Sequence, residues 1–275
     1  MSEILLKNAD TILTMDDGRR ELSFADIRIK DGVITQIGQD LSGSAEVVDV
    51  SGCVVTPGLV NTHHHLYQNL TRAVPGGQDA LLFGWLQTLY PIWSRMTPDH
   101  MFTSAQIGLA ELALSGCTLS SDHLYLYPNG VRLEDTIHAA AELGLRFQPT
   151  RGSMSIGVSD GGLPPDALVE NEDAILEDCI RLVDGFHDPS EGSMCRVALA
   201  PCSPFSVSRD LMRNTAVLAR DKGVMMHTHL AENDEDIAYS LEQFGCRPGE
   251  YAQDLGWVGR DVWHAHCVKL DAAEI

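Results

Sequence analysis

Eleven histidines are spread along this chain, and most of them close segments that read as strands. The densest group is Val60-Asn61-Thr62-His63-His64-His65. Side chains alternate along an extended strand, so His63 and His65 share one face and His64 takes the other. Two imidazoles side by side can grip a divalent cation. The plainer alternative is a polar loop that happens to be rich in histidine. A third imidazole, His229 in HTHLAE, completes a ligand set if its strand reaches the same opening. A catalytic zinc site keeps a position for water, and the cation brings the pKa of that water toward neutrality. Glu232 follows His229 by three residues and is placed to carry protons between water, substrate and leaving group. It reads equally well as a carboxylate favoured by a helix N-terminus. Imidazole and carboxylate ligands suit zinc and iron alike.

Two kinds of element must position these groups. Residues 1–56 read as a small antiparallel β unit, built from LLKNADTILTM, ADIRIKDGVITQIG and AEVVDVSGCVVTPG. Lys30-Asp31-Gly32-Val33 has the chemistry of a two-residue hairpin turn, since Asp-Gly tolerates positive φ. From residue 57 the rhythm changes. LVNTHHH, GCTLSSDHLYL, LRFQPTRGSM, CRVALAPCSPF, VMMHTHLAE and DVWHAHCVKL read as strands separated by helices. The first helical region runs from Leu81 to Ser115, and Gly116, Gly144, Gly223 and Gly245 fit caps before the next strand. Repeated βα units imply a parallel sheet, doubly wound or closed into a barrel. In a βα barrel the working residues stand at the C-terminal strand ends. Here those ends carry His63 and His65, Asp122 and His123, Arg151, Pro201-Cys202-Ser203, His227 and His229, then His264 and His266. Each histidine alone is better explained as structural; their common placement argues for a site.

The totals narrow the function. A formal net charge of −20 over 275 residues argues against a nucleic-acid partner, because phosphate backbones need a basic footprint. Seven cysteines, odd in number and without a C-x-x-C pair, point to reduced thiols. MSEILLKNAD has no apolar signal region, and together these indicate the cytoplasm. No apolar run approaches a membrane span.

PGLVNTHHHLYQNLTRA, HTHLAE and HAHCV resemble the amidohydrolase superfamily, in its branch of metal-dependent deaminases and chlorohydrolases. LLFGWLQTLYPIW, SSDHLYLYP and TRGSMSIGVSDGGLPPD resemble, more finely, the 8-oxoguanine deaminase group. The resemblance covers essentially the whole chain. It implies an α/β fold: a (β/α)8-type, TIM-like barrel over residues 57–275, and an N-terminal unit, 1–56, that is part of a composite β-sandwich. It makes His63, His65 and His229 the ligands of one divalent metal ion, zinc or iron, and Glu232 the proton shuttle. His266 would hydrogen-bond the water or the tetrahedral intermediate. Gln68 would contact the substrate ring, and Arg151 an exocyclic oxygen. Trp85 would line the pocket, although a core aromatic in an amphipathic helix is its plainer role. His64 is expected behind the strand, His123 buried and hydrogen-bonded, and His227 and His264 in supporting roles. The implied partners are an aminoheterocycle, such as 8-oxoguanine giving urate and ammonia, together with water. Homo-oligomers fit the family.

The family also uses an aspartate ligand at the end of an eighth strand. Only six barrel strands are legible before Ile275, so the barrel reads as incomplete after the sixth. An open sheet edge of that kind predicts poor stability and little turnover for the chain alone. Rival readings are deamination of isoxanthopterin or another pterin, and displacement of chloride or an amine from a triazine. A rival of another class is a metal-free barrel used for assembly. Ammonia release across a substrate panel separates the first two, and metal analysis separates the last.

Overall fold

The structure, a computed structural model, describes residues 2–275. It forms two compact units, Met1–Leu59 and Val60–Ile275.

The first unit holds β1 (Glu3–Leu13), β2 (Glu21–Lys30), β3 (Val33–Gly38), β4 (Glu46–Asp49) and β5 (Val54–Val55). β1, β2 and β3 pair antiparallel, while β4 and β5 run parallel to β1. The sheet is therefore mixed, which corrects the antiparallel expectation. After β3 the chain does not turn back on itself but crosses to the free edge of β1 and runs in the same direction. The hairpin is as expected: Lys30 pairs with Val33 across Asp31 and Gly32, whose φ values are +49° and +82°. Ala9, Ile12, Ala25 and Ile27 form a small core. Beside it, a bulge at Asn8 is held by the buried Asp26 carboxylate, which accepts from Asn8 N and Lys7 Nζ at 2.8 Å each.

The second unit follows a βα rhythm. Its strands are β6 (Leu59–Asn61), β7 (Cys117–Leu124), β8 (Arg146–Ser153), β9 (Ala198–Pro201), β10 (Met226–Leu230) and β11 (Val262–His266). Its helices are α1 (Leu82–Trp93), α2 (Pro98–Leu114), α3 (Leu133–Leu143), α4 (Glu172–Phe186), α5 (Arg209–Lys222), α6 (Asp234–Phe244) and α7 (Pro248–Asp254). The six strands lie in chain order, as successive βα units of one hand require. Among the described residues there is no seventh or eighth barrel strand. The sheet curls strongly. Trp263 on β11 donates its Nε1 to Thr62 O at 2.9 Å, just past the opposite edge strand β6. In a flat sheet, five strand spacings would hold those edges roughly 24 Å apart. The outer face packs on the helices through a core that includes Leu109, Phe147, Leu199 and Trp257.

Two details differ from the sequence reading. The helical stretch Leu81–Ser115 is two helices. Thr97 caps the second in a capping box with His100, and Pro98 occupies its first turn. Helix α7 was not anticipated, although RPGEY carries its start: Pro248 opens the first turn and Glu250 accepts from Arg247 N at 2.9 Å. Among the described residues no helix is long and apolar enough to cross a membrane.

Candidate active site

Strand β6 stops at Asn61, so the three histidines lie in the extended segment beyond it, not within the strand. Alternation still separates them. His63 and His65 face the opening at the C-terminal strand ends, with ring centroids 4.8 Å apart. His64 lines a different cavity with Arg72 and Glu111. His229, on β10, brings its ring centroid to 4.9 Å from His63 and 5.1 Å from His65. The chain therefore gathers imidazoles that are 164 positions apart.

The hydrogen bonds around these rings determine which nitrogen is free. His65 donates its Nδ1 proton to His123 O at 2.7 Å, and His229 donates its own to Cys202 O at 2.6 Å. A carbonyl only accepts, so both Nδ1 atoms carry hydrogen and both Nε2 atoms carry a bare lone pair. Those two Nε2 atoms stand 3.1 Å apart. Two lone pairs at that distance repel unless a positive charge lies between them. The donor set thus fits a divalent cation bound by neutral imidazoles, each oriented by a hydrogen bond from its other nitrogen. Burial holds the rings neutral. It lowers His63 to about 4 and keeps His65 and His229 well below the usual histidine range.

His123 was expected to be buried and hydrogen-bonded, and its Nε2 does donate to Ala200 O at 2.9 Å. Its Nδ1, however, is buried without a partner. One nitrogen each from His63, His65, His123 and His229 lies within 4.8 Å of the others. The sequence signal for this is position, because His123 stands at the end of β7 as His63 and His65 stand just beyond the end of β6.

Glu232 stands where β10 gives way to α6. Ala231 precedes it in the left-handed region, at φ +51°, and His266 and Cys267 at the end of β11 have φ +72° and +57°. Three non-glycine residues so strained at neighbouring strand ends mark a place where the fold over-determines the backbone. Cys267 N donates to Leu230 O and Lys269 N to Ala231 O, each at 2.9 Å, which ties the two ends together. As a result Glu232 Oε2 and His266 Nε2 lie 3.5 Å apart. Burial raises the Glu232 carboxyl and lowers the His266 imidazole. Asp236, in the first turn of α6, accepts from Glu232 N at 2.8 Å and is itself pushed up to about 6 by burial.

His63, His65, His229, Glu232 and His266 line a cavity of about 280 Å³. Its walls are aromatic and apolar, from Leu82, Trp85, Leu86, Tyr90, Tyr125 and Phe205, with Gln68, Cys202, Ser203 and Ser206 as polar points. Gln68 and Trp85 are thus at the wall. Ser203 was noted at the end of the fourth barrel strand, whereas Tyr125 and Phe205 were not singled out from the sequence.

Arg151 is not there, which corrects the expected substrate contact. On β8, Thr150 pairs with the inward His123 while Arg151 pairs with the outward Leu124. The period of two sends the guanidinium into the helical layer. There it is 2% exposed, bonded to Asp178 Oδ2 at 2.7 Å and Glu170 Oε1 at 2.8 Å, and lies over the Tyr127 ring at 4.0 Å.

Residues 54–275 match the model of the amidohydrolase family. The chain belongs to the amidohydrolase family. Among curated amidohydrolase-like relatives, an 8-oxoguanine deaminase of Pseudomonas aeruginosa is 44% identical over 253 residues, covering 90% of this chain and 56% of the relative. An isoxanthopterin deaminase of an unknown prokaryotic organism is 39% identical, covering 98% of this chain and 58% of its own length. The crystal structure of the atrazine chlorohydrolase TrzN from Arthrobacter aurescens, complexed with zinc, superposes with a TM-score of 0.94 at 33% identity. That match covers 98% of this chain and 62% of the chlorohydrolase. This amidohydrolase chain therefore spans about 56–62% of the length of these relatives.

Proposed function

We propose that this chain carries the imidazole cluster and proton-transfer groups of a metal-dependent hydrolase that removes ammonia from a planar amino-substituted heterocycle, with 8-oxoguanine the first candidate. The observation that carries the reading is the pair of bare Nε2 atoms on His65 and His229, 3.1 Å apart beneath an aromatic-walled cavity. The substrate assignment draws on the 44% identity to an 8-oxoguanine deaminase. His63, His65 and His229 would hold the cation, with His123 beside them. When bound, the cation supplies Lewis acidity and a water of lowered pKa.

The chain's own groups supply the rest. Glu232 moves protons at its carboxylate oxygens, first to the ring nitrogen of the heterocycle and then to the departing amine. A half-buried carboxyl of raised pKa holds a proton nearer neutrality than a solvated one, as that role requires. His266, at 3.5 Å from Glu232, donates a hydrogen bond to the oxygen on which charge develops. Trp85, Tyr90, Tyr125 and Phe205 favour a flat ring and exclude water, while Gln68 offers both a donor and an acceptor to its edge.

The test is ammonia release from 8-oxoguanine, isoxanthopterin and amino-triazines, with Glu232→Gln as control. Release from 8-oxoguanine is expected of a full-length hydrolase with a closed barrel, and little from the 275-residue chain alone. Glu232→Gln should keep the metal and lose at least about a hundredfold in turnover. Release from a triazine or pterin alone would redirect the substrate assignment, and turnover surviving in Glu232→Gln would overturn the proton-transfer role.

A further inference from the structure

His227 shares the inward face of β10 with His229, two residues earlier and so deeper in the barrel, with ring centroids 6.3 Å apart, and the reaction proposed above gives it no task. It is fully buried. Its Nδ1 lies 2.8 Å from Trp263 O, and its Nε2 lies 2.8 Å from Nδ1 of His63. The indole of Trp263 stacks on its ring, with centroids 4.5 Å apart and planes at 14°. Trp263 in turn donates Nε1 to Thr62 O, the residue before His63. A closed circuit of hydrogen bonds thus runs from β11 through β10 to the segment beyond β6.

The directions in this circuit are forced. The Trp263 carbonyl has no proton to give, so Nδ1 of His227 must be the donor. The neutral ring then has only an acceptor at Nε2. The proton between the two rings therefore sits on Nδ1 of His63, and the lone pair of His63 is on Nε2. His65 and His229 reach the same state by donating to backbone carbonyls. His63 has no such carbonyl, and a side chain on the neighbouring strand does the work.

We infer that His227 is a positioning residue: it fixes the tautomer and ring orientation of His63 so that its Nε2 is available to a divalent cation. The inference rests on the metal site proposed above. The structural alternative is that His227 merely fills the barrel interior against Trp263.

Two variants of this chain and one spectrum separate these roles. His227→Phe keeps an aromatic ring to stack on Trp263 but cannot accept a proton. His227→Gln keeps an acceptor oxygen. Zinc affinity is measured for each by competition with a chromophoric chelator. His227→Phe is expected to lose roughly 10–100-fold in affinity, and His227→Gln to recover most of it. A filling role predicts the reverse order, because Phe is the better filler. In long-range 1H–15N spectra of the metal-free wild-type chain, His63 is expected to carry its proton on Nδ1, and a mixture of tautomers should follow in His227→Phe. Equal zinc affinity in wild type and a folded His227→Phe would overturn the inference. So would a wild-type His63 protonated on Nε2, a result that does not depend on any variant folding. If wild type binds no zinc while His63 is protonated on Nδ1, the metal reading fails and the tautomer assignment stands apart from it.

Discussion

Replacing Arg151 with methionine asks whether that guanidinium serves the substrate or the scaffold. The side chain is 1% exposed, and it satisfies Asp178 at 2.7 Å and Glu170 at 2.8 and 3.1 Å while also donating to Gly152 O. Removing one partner of a buried ion pair typically costs about 3–5 kcal/mol, because a charge is left unpaired. Here the stranded carboxylates are 27% and 28% exposed, and Asp178 keeps Arg181 at 2.7 Å. Both features place the loss at the low end, about 3 kcal/mol, with roughly 1 kcal/mol more for the contact over Tyr127. Methionine retains most of the volume, so little cavity cost is added. For a unit of this size each kcal/mol moves Tm by about 2–4 °C, so a fall of roughly 6–16 °C is expected in a thermal melt. Affinity for the heterocycle, measured well below that Tm, should be unchanged. A variant that melts like wild type yet loses the substrate would place Arg151 in the pocket and refute the reasoning.

Zinc at about 100 times its Kd should raise stability by about 2.7 kcal/mol in urea titrations, and His229→Ala should abolish that gain; a gain that survives the substitution would remove His229 from the ligand set. Burial pushes Asp122 up to about 7 from 3.8, so its proton stabilises the fold in acid and that contribution is lost as pH rises through about 7. The stability of wild type relative to Asp122→Asn should therefore rise by about 1.4 kcal/mol per pH unit on acidification from about pH 7 to 5, and a pH-independent difference would refute the assignment. A Cβ on Gly152 would collide with Leu124 O and press on Tyr125 and His123, so Gly152→Ala should cost about 1–3 kcal/mol by denaturant titration and loosen the cavity wall at Tyr125; an unchanged midpoint would show that β8 can shift freely.

The βα rhythm of the second unit was legible because α3, α5 and α6 are amphipathic and end at a glycine, Gly144, Gly223 and Gly245, with φ near +70°. The convergence of His63, His65 and His229 was legible because strand ends in a parallel barrel share one rim. Sequence position alone misplaced Arg151, since proximity to a strand end says nothing about which face a residue takes. Parity would have corrected it: Phe147, four residues earlier, is an outward core residue, and Arg151 shares its face. His123 was read as buried and hydrogen-bonded, and it is both. A ring hydrogen-bonded like a structural histidine at Nε2 can still stand in the imidazole cluster with its Nδ1 unpartnered, and residue identity cannot distinguish these nitrogens. Tyr125 and Phe205 reach the cavity from loops whose course depends on long-range contacts, such as Ser155 N to Ser206 O at 2.9 Å. No local pattern encodes those.

The arrangement of donors also says where the proposed specificity for a cation would originate. Two of the three rings proposed as ligands are held by main-chain carbonyls, whose acceptor character no change of pH can alter. Their lone pairs therefore face each other whether or not anything lies between them. The remaining ways to relieve that repulsion are a proton, which burial disfavours, a cation, or a movement of strand ends that Cys267 and Lys269 tie in place. A site of this kind is organised by the fold before the ion arrives, so cation binding should stiffen the strand ends without rearranging them. The strained backbone at Ala231, His266 and Cys267 is consistent with that order of events, because such conformations persist only where surrounding contacts already enforce them.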